Sequence, residues 1–352
     1  MSNMTEHLKA RITGSGPMTV AEYMTETLLH PKLGYYTTRD PLGEAGDFTT
    51  APEISQMFGE MIGLVLAQCW LDQGAPNPFT LAEPGPGRGT LMADIMRATR
   101  GIPGFHEAIK LCLIEASPEL RSKQANLLGD HHTWLYDLDQ LPEQPLFLIA
   151  NEFFDTLPIR QFQRGESGWQ ERLIGVRDNK LVTGLGPEQP RETLKKRIED
   201  TTVGNVVELC PAAPALIEII GTRIASNGGA ALIIDYGSWR SNGDTLQALR
   251  HHSPVDPLTF PGEADLTAHV DFEALALAAP CAHSKMITQG IFLERLGITE
   301  RAQILAQKLS GASLESHVAA HRRLTHPNEM GDLFKVLALY PEDSPPPPGC
   351  DA

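Results

Sequence analysis

The chain has 352 residues, 41% hydrophobic and 21% charged, with 31 Gly and 27 Pro, a globular composition with room for one elaborated α/β domain or two domains. A formal net charge of −15 disfavours a long nucleic-acid-binding surface and suits a basic partner, such as an Arg- or Lys-bearing protein segment. Cys69, Cys112, Cys210, Cys281 and Cys350 form no CxxC pair, so neither a disulfide framework nor a zinc knuckle is expected, and a reducing compartment is. No secretory leader is visible, and no apolar run reaches the roughly 18–20 residues that span a bilayer, so no membrane insertion and a cytoplasmic location are expected.

Residues 1–75 read as an N-terminal helical region carrying a long loop. "MTVAEYMTETLLH" puts Val20, Tyr23, Met24, Thr27 and Leu28 on one helical face, with Thr19 as N-cap. "SQMFGEMIGLVLAQCWLDQG" predicts a second helix, stopped at Gly74. The Gly-, Pro- and Thr-rich loop between them is long enough to be functional. From residue 76 to 160, short apolar runs ("FTLAE", "IKLCLIEAS", "HTWLY", "PLFLIANEF") alternate with helical stretches, which predicts a parallel sheet covered on both faces. Residues 161–228 break that rhythm. They predict an inserted hairpin and helical lobe, turning at Gly165–Gly168 and Asp178–Asn179. The core resumes over 229–340 with "GGAALIIDYG", and "KMITQGIFL" and "DLFKVLALYP" are expected to give the last strands. The tail 341–352 is expected to be disordered.

"FTLAEPGPGRGTLM" is the most informative stretch. A strand runs through Glu83 into Gly85, Gly87 and Gly89, and a helix starts near Thr90. Glycines at such a joint let the backbone turn tightly and approach a ligand beside free helix N–H groups. The third glycine comes one residue too early for the dinucleotide GxGxxG pattern, and no Lys-Ser/Thr follows as in a Walker loop. GxGxG after a strand-borne acid is similar to the loop of class I S-adenosylmethionine (SAM) methyltransferases. There a second acid at the tip of the next strand grips the ribose, a position held here by Glu115. Asp137, after the third strand, is a candidate acceptor for the adenine amine. Pro84 departs from the aliphatic residue more usual before the loop, and it removes an N–H.

"NEFFD" follows the fourth strand, at the sheet edge where ligands collect. Nitrogen methyltransferases of this class often carry Asn/Asp-Pro-Pro-aromatic there. Asn151 and Phe154 match the ends of that motif, while Glu152 and Phe153 replace the prolines. An added carboxylate points to a guanidinium, a planar cation that two acids can grip and an aromatic ring can cover. Glu152, Asp155 and Asn151 are therefore the candidate catalytic residues, with Phe153 and Phe154 against the substrate. A solvated turn with both rings in the core is the alternative, and which acid grips the substrate stays open. Asp235 and Tyr236 at the end of the fifth strand, and His269 in "FPGEADLTAHVDF", are further substrate-side candidates; the alternatives are a structural strand-end turn for the first two and a helix-capping segment with a satisfied His for the third. His317 and His321 lack the Glu of HExxH, so no metal is expected.

Taken in order, "GYYTTRDPLGEAGDFTTAPEISQMFGEMIG", "EPGPGRGTLM", "NEFFDTLPIRQF", "IIDYG", "FPGEADLTAHVDF", "TQGIFLERLGI" and "MGDLFKVLAL" resemble the MidA family, over about residues 15–340. That resemblance implies a class I, Rossmann-like SAM methyltransferase sheet with added helical and strand elements. It also implies SAM as cofactor, with "GDFTT" as a lid whose Asp47 and Thr49 face it. The activity implied is symmetric dimethylation of an arginine on a complex I (NADH dehydrogenase) subunit during assembly. Eukaryotic relatives would work in the mitochondrial matrix, and a homodimer is compatible with the family. Methylation of another protein or small-molecule nitrogen, and a non-catalytic SAM-binding assembly factor, are the alternatives.

Overall fold

The computed structural model describes residues 3–38, 50–129 and 132–350. The chain crosses between two compact units several times. One comprises Thr49–Phe154, Pro214–Gly237 and Phe272–Ala352; the other comprises Met1–Phe48, Asp155–Ala213 and Ser238–Asp271. These are not the sequential segments expected.

The first unit holds the main sheet. Its long strands are β1 (Phe79–Pro84), β2 (Ile109–Ile114), β3 (His132–Leu135), β4 (Leu146–Asn151), β5 (Gly229–Ser238) and β6 (Phe334–Tyr340). They lie in the order β3-β2-β1-β4-β5-β6, parallel except for β6, which runs antiparallel to β5. Every residue of β1 and β4 is buried, as their unbroken apolar runs require. Each such Leu, Ile or Phe contributes about 1.5–3 kcal/mol by leaving water. The chain direction across the sheet reverses between β1 and β4, so a crevice opens where their carboxyl ends diverge.

Helix α1 (Gln56–Asp72) belongs to this unit because its Met57, Phe58, Ile62, Val65 and Leu66 enter the sheet's core. It packs closely on α2 (Thr90–Ala98), since a Cβ on Gly59 would sit 2.5 Å from the Cβ of Asp94. Glu60, buried on α1, receives Arg97 at 2.8 Å and Arg301 at 2.8 Å, which fixes α2 further. Two expectations need correction. "KMITQGIFL" supplies only Ile287–Thr288 to the sheet before turning helical over Gln289–Arg295. Residues 341–350 are packed rather than disordered: Cys350 is buried in the main core, and Arg295 donates to the Gly349 carbonyl at 3.1 Å.

The second unit begins with helices Met4–Ser15, capped by Asn3, and Val20–Leu29, capped by Thr19 in a reciprocal box with Glu22. Their apolar faces pack with Ile159, Ile174 and Leu266. The expected hairpins are present as Arg160–Arg164, Trp169–Arg177 and Lys180–Gln189, joined antiparallel, with Val206–Leu209 beside the first. Asp178 and Asn179 turn the long hairpin at φ +51° and +59°, the left-handed pair that a two-residue type I′ turn demands.

Candidate active site

The loop leaving β1 takes its shape from glycine. Gly85, Gly87 and Gly89 have φ of +63°, +52° and +87°, and Gly89 is the N-cap of α2. Pro84 costs the sheet nothing here, because the next N–H, on Gly85, donates to the Ile114 carbonyl at 3.0 Å. Glu83 is buried in β1, and its Oε2 has no hydrogen-bond partner among the described residues. Burial alone pushes its carboxyl up to about 8.

Glu115 follows β2 as expected. Its Oε1 accepts the Ser117 N–H at 2.6 Å, and its carbonyl accepts Arg121 Nε at 2.8 Å. Burial raises this carboxyl above the ordinary range, opposed by the Ser117 and Ala116 N–H groups, Gln124 and Arg121. Asp137 is exposed and caps the short turn Leu138–Gln140, accepting from Asp139 N–H at 3.4 Å. Beside it Arg121 lies 4.2 Å over the ring of Tyr136, which is 70% exposed.

At the end of β4, Glu152 has a left-handed backbone at φ +50°, a conformation that costs energy without glycine and gathers at functional sites. Its Oε1 accepts the Ala51 N–H at 3.2 Å and Asn151 Nδ2 at 3.1 Å. Asn151 is buried, and its Oδ1 has no partner among the described residues. Phe153 stands against the glycine loop, since a Cβ on Gly85 would lie 3.2 Å from its Cδ2. Its ring meets Phe154 edge-on, with centroids 5.3 Å apart. Asp235 lies near the end of β5. Fully buried, it accepts the Phe154 N–H at 3.0 Å and the Tyr236 N–H at 2.9 Å, tying the end of β4 to the end of β5.

One unit thus collects Glu83, the glycines, Glu115, Asp137, Asn151–Phe154, Asp235 and Tyr236. Asp155 and His269 belong to the other unit. There Asp155 is buried and its carbonyl accepts the Ala268 N–H at 2.9 Å, while the His269 N–H donates to Thr245 Oγ1 at 2.8 Å. In the same unit Tyr36 donates to Asp265 at 2.6 Å, and burial, then Asp265, then Asp155 hold its phenol well above the ordinary range. The expected lid residues Asp47 and Thr49 lie outside the described residues.

Sequence reading missed Glu53, whose Oε1 accepts the Thr90 hydroxyl at 2.6 Å at the start of α2, and Gln124 on the helix after β2. A lone Glu in "APEIS" carries no local signal of a partner 37 residues away. His317 meets the Ala302 carbonyl and His321 the Thr299 hydroxyl, both at 2.9 Å. Among the described residues His7, Glu26 and His30 gather ligand atoms within 4.8 Å of one another. Arg11 already holds Glu26 at 2.7 Å, and His30 Nδ1 accepts a backbone N–H, whereas a ligating imidazole donates from its second nitrogen.

Residues 61–291 match the family model Methyltransf_28, described as "Putative S-adenosyl-L-methionine-dependent methyltransferase". The chain is 38% identical to the Rattus norvegicus "Protein arginine methyltransferase NDUFAF7, mitochondrial", covering 96% of this chain and 84% of the relative. The human protein of that name is 37% identical, over 96% of this chain and 83% of the relative. A Burkholderia thailandensis structure bound to S-adenosyl-homocysteine superposes with a TM-score of 0.81 at 27% identity, covering 99% of this chain and 92% of that one. The site suits such a ligand: Glu83 has a buried oxygen that lacks a donor among the described residues, and three left-handed glycines leave the loop backbone bare. The chain belongs to the MidA family of SAM-dependent methyltransferases, with a class I methyltransferase fold and SAM as its methyl donor.

Proposed function

We propose that this chain methylates an arginine side chain of a protein substrate, a subunit of respiratory complex I during its assembly, with the symmetric dimethyl product. The observation that carries this reading is Glu152, held at φ +50° on the turn whose next residue packs on the glycine loop. The relatives' name, protein arginine methyltransferase, supports it. The five free cysteines, four of them buried, support a reducing compartment such as the cytoplasm.

In this reading the glycine loop backbone and Glu83 hold the amino-acid end of SAM, Glu115 the ribose and Asp137 the adenine. The bound cofactor supplies an electrophilic methyl group on a sulfonium. A guanidinium stays protonated to above about pH 12, and its delocalised lone pairs make it a poor nucleophile. Glu152 draws the cationic charge toward the far nitrogens and leaves one nitrogen electron-rich. Asn151 Oδ1 accepts an N–H and sets the angle of the plane. Phe153, Phe154 and Tyr236 border the substrate.

Glu152→Gln is the test. The amide keeps the oxygen that accepts the Ala51 N–H but removes the charge. Methyl transfer to a complex I subunit peptide, followed by mass spectrometry, should fall about 100-fold, while SAM affinity stays within about 2-fold. A mild loss would favour a neutral nitrogen as acceptor. A client bound but never gaining a methyl increment would favour a non-catalytic assembly factor.

A further inference from the structure

We infer that Gln124 is the positioning residue that fixes the glycine loop and the ribose acid relative to each other before any ligand enters. The inference rests on reading that loop as the SAM site. Gln124 lies on α3 (Pro118–Leu128), where it and Leu120 are the two buried residues. A buried amide needs partners, and an amide on a helix could find them among its own helix carbonyls. The partners of Gln124 all come from the cofactor-site segments instead. Its Nε2 donates to the Gly87 carbonyl at 2.7 Å and, at a longer 3.5 Å, to Glu115 Oε2. Its Oε1 accepts the Trp134 indole N–H from β3 at 2.8 Å.

The indole settles the orientation. Trp134 Nε1 can only donate, so the amide oxygen must face it, and both amide hydrogens must face Gly87 and Glu115. Glu115 is then aimed from two sides, by Ser117 N–H on Oε1 and by Gln124 on Oε2. The Gln124 Cγ also lies 3.4 Å from where a Gly89 Cβ would stand. One side chain therefore spans the loop after β1, the acid after β2 and the indole on β3.

The experiment uses full-length protein and two readouts, hydrogen exchange without ligand and SAM binding by calorimetry. Gln124→Met should raise exchange at the Gly89 amide and weaken SAM binding about 10-fold each, with the β1 amides unchanged. Gln124→Glu removes both donors and sets a like charge against Glu115, so binding should weaken about 100-fold. Trp134→Phe frees the amide to flip and should cost about 3-fold, which keeps the test open if the Gln124 variants do not fold. A role confined to packing would speed exchange in β1 and the loop together. If wild type binds SAM and both Gln124→Met and Trp134→Phe match it, with Gly89 exchange unchanged, the inference is overturned and the methyltransferase reading stands. If wild type binds no SAM, that reading falls and the inference with it.

Discussion

The turn after β1 holds its shape through backbone, with three glycines at positive φ, while the neighbouring turn after β4 holds its shape through side chains. In "GPGRG" the left-handed conformation comes from glycine itself, and Gln124 holds it in place from outside through the Gly87 carbonyl. In "NEFF" a non-glycine residue, Glu152, is kept at φ +50° while its carboxylate braces Ala51, and Asp235 grips the Phe154 N–H. A strained residue persists only where its neighbours over-determine it. In the proposed function the first turn lets a ligand approach the backbone and the second presents side-chain charge.

The sharpest way to break this comparison is Gly85→Val. A left-handed conformation costs a non-glycine residue about 1–2 kcal/mol, and a β-branched one more. The new Cβ would also stand 3.2 Å from Phe153, so the damage reaches the second turn. SAM binding measured by calorimetry should weaken at least about 100-fold, and wild-type affinity in this variant would show that the loop backbone does not meet the cofactor.

Asp235→Asn tests the other turn. The carboxylate accepts two backbone N–H groups in a fully buried position, and an amide offers one oxygen and turns an NH₂ against the second donor. The expected loss is about 2–3 kcal/mol in urea unfolding, as for a buried hydrogen bond to a charged acceptor. An unchanged midpoint would mean that the β4 turn stands without this brace.

The same contrast explains what the sequence made legible. Glycine signals are local, so the turn after β1 could be placed from "EPGPGRG" alone, and the Asp178–Asn179 hairpin likewise from its two turn residues. The parallel strands announced themselves because both faces of β1 and β4 are buried. The side-chain braces act between distant segments: Asp235 reaches back 81 residues to Phe154, and Glu152 reaches 101 residues to Ala51. No neighbour in the chain signals that either carboxylate is tied to so remote a segment, so the sequence left Asp235 open between a substrate contact and a structural strand-end turn. The Pro-rich tail misled for another reason. Proline reports missing backbone donors rather than missing contacts, and Cys350 is buried all the same.

Glu83 offers the subtlest separation of the two turns, through pH. Its unfolded carboxyl titrates near 4.5, while burial in the folded chain moves it to about 8. Between those values the folded state holds a proton that the unfolded state lacks, so stability falls as pH rises and levels off above about 8. The slope is about 1.4 kcal/mol per pH unit, and Glu83→Gln, neutral throughout, should remove it. Urea unfolding of both proteins at pH 6 and pH 7 reads this directly. SAM carries an α-ammonium, and a cation beside Glu83 favours the ionised carboxylate. Binding near pH 7 should therefore release a proton and tighten as pH rises, which calorimetry in buffers of different ionisation enthalpy detects. Equal pH dependence in wild type and Glu83→Gln would mean that Glu83 is already ionised in the free protein, and the first turn would then carry charge as the second does.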